Sequence, residues 1–466
     1  MALDSWLIKV KTAISNSLET VKTNTKNNKR SNVGVLAFEI AGLMSKLLQL
    51  WQSLSDKHID QLRQEAISLE GVRKIVSNDE SFLLGLACAE MVESLRLVAK
   101  SISRLARRCE DLGLRSFDRF FEEFVESGQD TQCWVLTWKE MESKAKKMNR
   151  YITSTAALHK EIDLLSETEH ALKKLLQCSE QAFPINSKRM AEMQEKLFWH
   201  RQELKCLKES SLWNRSFDAA TALLARSAFT VLARIKLVFG VGHELPLMNA
   251  SLPRSLSLSA TVHPSENPPT SCNFISGPLT SKTQDRPDGF FEQRAKLLKP
   301  PPSTLGAVAL AIHYSNLIIV IEKMIRSPHL IGVDARDDLY GMLPTSIRVS
   351  LRARLRGVGF SASDPALAAE WREALWRILE WLGPLAHNMI RWQTDRSFEQ
   401  QNMVPKPTGV LLLQTLYFAN QAKTEAAITE LLVGLNYIWR FEREMNTKAL
   451  LECSKLNGFF NLQSSS

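Results

Sequence analysis

Two clusters of charged residues in the C-terminal half of the chain have the types and spacing to do chemistry. Three carboxylates, Asp334, Asp337 and Asp338, fall within five residues, and carboxylate oxygens can bind Mg²⁺ or Ca²⁺. The glycine-punctuated D-x-D-x-D-G pattern of a calcium loop is absent from this acidic turn. Acidic residues before a helix more often cap it or pair with nearby arginines. We therefore expect capping and pairing, and keep a metal site and a partner-binding role as alternatives.

The second cluster is a face of arginines on the helix that we predict to begin at Pro344. Arg348, Arg352 and Arg356 recur every fourth residue and so share one side of a helix, and Arg354 adds a fourth cation. Arginine forks fit phosphate and carboxylate groups, which makes this face a candidate site for acidic or phosphorylated partner proteins. The alternative is a solvated helix surface whose arginines pair with acidic residues elsewhere. Nucleic-acid binding is disfavoured, because neither interleaved aromatic residues nor a recognition helix is evident.

The motifs favour a binding protein over an enzyme. The sequence contains no phosphate loop, dinucleotide-binding glycine motif, HExxH, GxSxG or paired-cysteine zinc pattern. His313 stands in an apolar stretch and is interpreted as a core histidine rather than a metal ligand. We predict no catalytic residues, no metal, no cofactor and no small-molecule substrate.

Composition places the chain among soluble globular proteins, with 466 residues of which 44% are hydrophobic and 23% charged. The net charge of +9 favours acidic partners. Seven scattered cysteines without a CxxC pair indicate reduced thiols, and hence a cytoplasmic or nuclear location.

Leu305 to Ile321 is a run of 17 residues without Asp, Glu, Lys or Arg. Because a membrane span needs about 20 apolar residues, we interpret this run as a core helix.

Residues 1–30 have the pattern of an amphipathic helix followed by a basic tail. Trp6 and Leu7 lie on its apolar stripe, and Lys9 and Lys11 lie beside it. One interpretation is a helix on an anionic membrane, with these four residues in contact with the lipid. The other is a helix docked on the protein's own core. The first interpretation leads to our alternative function, a peripheral membrane or trafficking factor.

The remaining sequence predicts an all-α protein with two helical units. In residues 31–240 apolar residues recur with a helical period, and a loose heptad over 138–176 favours an antiparallel hairpin. Residues 304–460 form the second unit, and Ser303 or Thr304 can start its first helix. Gly383-Pro384 is expected to break or kink a later helix.

Residues 241–303 differ in kind from both units. They contain ten of the chain's 17 prolines and few large apolar residues, which predicts a disordered linker. Arg254 stands three residues before Ser257, the spacing that basophilic kinases favour. Ser257 is therefore our phosphorylation candidate, and a phosphate there would change the local charge by about −1.5 to −2.

Three stretches of the sequence together resemble one plant family. They are NVGVLAFEIAGLMSKLLQLWQSLS, TLGAVALAIHYSNLIIVIEKMIRSPHLIGVDARDDLYGMLPTSIRVSLRARLR and WLGPLAHNMIRWQTDRSFEQQ. They are similar to the plant phytosulfokine-simulator-like family, which joins two plant domains of unknown function through a variable linker. The resemblance implies a plant protein that promotes growth, is connected with peptide-hormone signalling and has no established enzymatic activity. We accordingly expect a non-enzymatic scaffold that acts through protein–protein interaction.

One residue departs from the pattern of that family. Longer members begin Met-Gly with a myristoylation signal, whereas the second residue here is Ala2. Because N-myristoylation requires glycine at this position, we expect no such lipid on this chain. Any peripheral attachment to the plasma membrane would then depend on Trp6, Leu7 and the lysines, or on a partner.

Overall fold

A computed structural model describes residues 32–177, 183–240, 289–328, 332–356, 362–401 and 410–463. Within these ranges the α-helices are α1 Ala37–Ser53, α2 Asp56–Gln61, α3 Glu80–Ala106, α4 Leu112–Arg115, α5 Phe117–Ser127, α6 Trp138–Gln177, α7 Phe183–Ser210, α8 Phe217–Phe239, α9 Phe290–Leu297, α10 Ala311–Arg326, α11 Val333–Met342, α12 Thr345–Leu355, α13 Pro365–Gln401 and α14 Gln421–Gln463. The same ranges contain no β-strand, and extended pairing is limited to two isolated bridges. The predicted all-α class with two helical units is confirmed.

The first unit is built around α1, α3, α5, α6 and α8. These helices enclose a core that includes Met44, Phe117 and Phe229. Side chains cap the helices where the chain turns into them. The carboxylate of Asp79, for example, accepts a 2.9 Å hydrogen bond from the backbone N–H of Ser81 at the start of α3.

Helix α1 is central to this core. In the described part of the chain it lies in the one segment, Gly34–Ser53, that by length and composition could cross a membrane, with a mean hydropathy of 1.3. In the structure 61% of that window is buried, and Ile40, Met44 and Leu47 have no exposed surface. Its apolar surface is thus covered by the other helices of the unit.

Helices α6 and α7 form the hairpin that the heptad over 138–176 predicts. Glu161 on α6 lies 2.6 Å from His200 on α7, measured between Oε1 and Nδ1, and Glu169 pairs with Arg201 at 3.1 Å. The first half of α6 packs against α1 through buried residues such as Met148. The hairpin therefore extends outward from the core of the first unit.

In the second unit, α10, α13 and α14 pack around a separate core that includes Tyr314. Helix α10 begins at Ala311, not at Ser303 or Thr304 as the sequence suggested. The reason is that the backbone just before it pairs with another segment: Leu305 N–H donates to Ala419 O at 2.9 Å. The apolar run is nevertheless a core helix, as predicted.

Helix α13 continues through Pro384, so the predicted break there is wrong, and the kink that was the alternative stays a prediction. Proline removes one backbone hydrogen bond from a helix interior. Leu382, Leu385 and Ala386 on either side of it are fully buried, and this packing holds the helix together across the missing bond.

The segment predicted as a linker, 241–303, is only partly covered, since 241–288 lies outside the described residues. The C-terminal part of this segment contains a helix. Phe290–Leu297 forms α9, which packs against α3 of the first unit. Phe290 and Phe291 are half-buried on that core, with the ring of Phe291 stacked on Phe121 at 6.3 Å. The prediction of disorder is therefore wrong for these residues, because two adjacent phenylalanines supply an apolar anchor.

The two units meet through α2 and the segment that follows it. Ile59, Ile67 and Val72 share a core cluster with Leu412 and Leu413 of the C-terminal part. This cluster joins residues more than 300 positions apart in the sequence. The limits 31–240 and 304–460 as separate domains stay a prediction, since the packing mixes the two halves.

Lys236 on α8 is a buried cation in the first unit. Its ammonium donates to the backbone oxygens of Phe124 and Val125, at 3.0 and 2.7 Å, near the end of α5. Burial lowers the pKa of this lysine. The ammonium is thus a donor to Val125 O and a second donor to Phe124 O, which also accepts from the backbone N–H of Gly128 at 3.1 Å.

Replacing Lys236 by methionine is expected to lower the free energy of unfolding by about 1 to 3 kcal/mol, because Val125 O loses the ammonium donor and Phe124 O keeps only its bond from Gly128 N–H. Urea unfolding monitored by circular dichroism measures this. Lys100→Met, at an exposed position of α3, is the control and should change stability little. Equal stability of the two variants would contradict a structural role for Lys236.

Candidate interaction site

The three aspartates of the acidic cluster lie on a helix, not in a turn. Asp334 occupies the first turn of α11, where the helix dipole favours a negative charge. All three carboxylate residues, Asp334, Asp337 and Asp338, are exposed. Among the described residues none of them caps a helix or pairs with the arginines of α12, so the expected capping and pairing are not seen.

The aspartates are also not part of a metal-binding arrangement in the residues that the structure covers. No group of three His, Cys, Asp or Glu side chains there is placed to hold a metal ion. Along α11 the exposed carboxylates instead give a negatively charged surface.

Arg348 belongs to the corner between α11 and α12. It is half-buried, donates to Gly341 O at 2.8 Å, and its guanidinium lies 5.3 Å from the ring centre of Tyr340. Arg352 approaches the same ring at 5.8 Å, but it remains exposed. The helix α12 starts at Thr345, with Pro344 as the residue that precedes it rather than its first residue. Arg348 therefore holds the two helices together, through Gly341 O and the ring of Tyr340.

The other two arginines differ in their surroundings. Arg354 forms an ion pair with Glu430 on α14, at 2.6 Å. Arg356 is exposed at the end of α12. Among the described residues Arg354 pairs with an acidic residue, as one alternative expects, and Arg348 bonds to a backbone carbonyl. Arg352 and Arg356 present their charge to solvent.

The structure shows two further contacts, one of α11 and one of α10, that the sequence did not predict. The guanidinium of Arg336 stacks 3.6 Å from the ring centre of Trp439, which fixes α11 on α14. His313 Nε2 donates to Met342 O at 2.9 Å, in agreement with the core histidine that we predicted. The spacing of residues along the sequence could not predict the contact between Arg336 and Trp439, because they are about a hundred residues apart.

A second site missed by sequence reasoning is the carboxyl group of Glu90, between the two units. It accepts a 2.8 Å hydrogen bond from Leu412 N–H and another from the side chain of Trp392. Loss of hydration on burial raises the pKa of Glu90 to about 7, against the opposing effect of these two bonds and of Arg396. This carboxyl therefore changes charge near neutral pH.

Two parts of the chain match known domain families. Residues 35–91, which include α1 and Glu90, match "Domain of unknown function (DUF3475)". Residues 304–391, which include α10 to α12, match "Protein of unknown function (DUF668)". Neither description names an enzymatic activity.

Curated proteins match over most of the chain. It is 25% identical over 431 residues to Protein PSK SIMULATOR 1 of Arabidopsis thaliana, covering 89% of this chain and 57% of that protein. It is 25% identical over 425 residues to PSK SIMULATOR 3 and 23% identical over 445 residues to PSK SIMULATOR 2 of the same plant. The chain is a homologue of the PSK SIMULATOR proteins. The family resemblance seen in the sequence is confirmed.

The chain spans 56% to 63% of the length of these PSK SIMULATOR relatives. No solved structure matches it. In the structure, Gly71 of the DUF3475 match lies directly against Trp381 of the DUF668 match. The two parts of this chain that match domain families are thus packed on each other.

Several predicted site residues lie outside the described residues of this PSK SIMULATOR homologue. They are Trp6, Leu7, Lys9 and Lys11 of the N-terminal segment and Ser257 of the linker. Membrane contact and phosphorylation at these positions stay predictions.

Proposed function

We propose that this protein is a non-enzymatic signalling scaffold that promotes plant growth in phytosulfokine-linked signalling, and that it acts by binding other proteins. The similarity to three PSK SIMULATOR proteins along 88% to 92% of the chain supports the signalling role. The partners are acidic or phosphorylated proteins of the cytoplasm or nucleus.

The observation that carries the interaction role is the exposed charge on α11 and α12. Arg352 and Arg356 are exposed on α12, while Arg348 and Tyr340 fix this helix against α11. A rigid helix needs little backbone ordering when it binds a carboxylate or phosphate, and the planar guanidinium fork limits the side-chain freedom that is lost per hydrogen bond. The surface is also part of the DUF668 match, a region shared with the domain family.

The test is charge reversal at the two exposed arginines, Arg352→Glu with Arg356→Glu. We expect partner binding to weaken about tenfold, because two attractive charges become repulsive. The variant is expressed in Arabidopsis seedlings that lack the PSK SIMULATOR proteins, and both root growth and the amount of co-purified protein are measured. Helicity should be unchanged, since neither side chain is buried.

The matched control is Lys160→Glu with Lys173→Glu, an equal charge change at exposed positions of α6. The control should restore growth as well as the native chain does. If the charge-reversed variant restores growth fully, α12 is not the interaction surface. If the native chain restores no growth, the proposed signalling role itself is wrong.

A further inference from the structure

A groove between α6 and α8 in the first unit is lined by four cationic side chains. It has a volume of about 330 Å³. Lys144 and Lys147 line it from α6, and Arg215 and Arg226 line it from α8 and the residues just before that helix. Leucine and alanine side chains provide the remaining apolar surface, and none of the described lining residues is acidic. The groove therefore concentrates positive charge on an apolar base.

The helix periods and local contacts explain why these cations face the groove. Lys144, Lys147 and Tyr151 follow one face of α6. The ring centre of Tyr151 lies 5.7 Å from Lys147 Nζ and 5.8 Å from the guanidinium carbon of Arg215. Arg226 is half-buried and its Nε donates to Trp134 O at 3.4 Å. The cations are thus held at the groove by contacts with the fold.

The positive charge is poorly compensated within the chain. None of the four cations forms an ion pair with a described residue. Glu140 is an acid that interacts with two of them, Arg226 and Lys144, and its carboxylate accepts hydrogen bonds from the N–H and hydroxyl of Thr137 at 2.9 and 2.8 Å. These bonds, together with Arg226 and Lys144, lower the pKa of Glu140. Glu140 thus offsets part of the charge of Arg226 and Lys144, and an anionic ligand would relieve the repulsion that remains among the four cations.

The start of α8 adds to the positive potential. Ser216 lines the groove and caps this helix of 23 residues, with its hydroxyl accepting from Ala219 N–H at 3.4 Å. The first turn of a long helix carries a partial positive charge and favours anions. This contribution has the same sign as that of the four side chains.

We propose that this groove binds a compact anion that carries more than one phosphate group. Four cations on two facing walls exceed what a single phosphate can neutralise, and arginine and lysine are the side chains that proteins use for phosphate. The volume is that of a site for a small molecule. The apolar base and the ring of Tyr151 offer contact to a carbon ring between the phosphates. The site is separate from α11 and α12 and does not depend on the function proposed for them.

The test uses isothermal titration calorimetry of the full chain with inositol hexakisphosphate as the probe. Lys147→Gln with Arg215→Gln should weaken binding about tenfold or more, because two charge-assisted contacts are lost. The matched control is Lys139→Gln with Lys146→Gln, an equal charge change at exposed positions of α6 that do not line the groove. The control should bind within about twofold of the native chain. Circular dichroism checks that both variants fold.

The phosphates could belong to a soluble ligand or to a lipid headgroup. A second experiment distinguishes the two by measuring binding to vesicles of neutral lipid and to vesicles that contain a phosphorylated inositol lipid. Binding of the soluble probe without vesicle binding assigns a soluble ligand. Vesicle binding that the groove variant loses and the control variant keeps assigns a lipid headgroup. Absence of binding in both arms, or an equal loss in both variants, overturns the proposal.

Discussion

Replacing Glu90 by glutamine is expected to remove a pH-dependent loss of stability of about 3 kcal/mol at the junction of the two units. The pKa of this carboxyl is about 7 in the folded protein, compared with its ordinary value of 4.5. Between these two values the folded protein holds a proton that the unfolded chain has released. The free energy of unfolding therefore falls as the pH rises through this window. Glutamine has no proton to lose, so the fall should be absent in the variant.

Urea unfolding at about pH 4.5 and about pH 8 measures this difference. The control is Glu93→Gln, on the same helix, where the carboxylate lies half-exposed and bonds to Arg96 at 2.7 Å. The control has the same change of charge and should retain the fall in stability. A similar fall in the Glu90→Gln variant would show that another group causes it.

Replacing Gly71 by alanine is expected to lower the free energy of unfolding by about 3 kcal/mol, since the added methyl group has no space. A Cβ atom here would overlap the backbone oxygen of Trp381 and lie 2.5 Å from Leu385 Cδ1. The backbone of α13 cannot shift without loss of its packing at Leu382 and Leu385, which are fully buried. The clash would therefore push apart the DUF3475 and DUF668 matches.

Urea unfolding and limited proteolysis between the units measure the effect of Gly71→Ala. The control is Gly85→Ala on α3, where an added Cβ meets no atom within 4 Å. We expect this control to be neutral or to gain about 0.5 to 1 kcal/mol, because alanine favours a helix over glycine. If both variants are equally stable, Gly71 does not determine the contact between the units.

For the charged residues at 334–356, local sequence patterns predicted part of the structure correctly and part of it incorrectly. The spacing of Arg348 and Arg352 correctly placed them on one helix face. The aspartates were predicted in a turn because acidic residues before a helix often cap it. In the structure Leu339 is buried on the core of the second unit, and this anchor makes the acidic stretch part of α11. A contact with distant residues thus outweighed the local preference.

At the end of the linker, too, a contact with distant residues decided the structure. Its proline content predicted disorder as far as residue 303, and composition has no information about where Phe290 would bind. The ring of Phe290 lies 5.4 Å from the buried ammonium of Lys236 on α8, and the helix that carries this phenylalanine packs against α3. These neighbours come together only when the first unit is folded.

The sequence alone was enough to determine the all-α class, the two units and the relation to the PSK SIMULATOR proteins. Helical periodicity is a local property, and family resemblance depends on the order of residues, so neither needs a folded structure. Only the tertiary structure decided which charges are buried, paired or exposed. Glu90 meets Leu412, and Arg354 meets Glu430, across 322 and 76 positions of the chain. Burial and pairing of charge depend on such long-range neighbours, which no spacing along the sequence specifies.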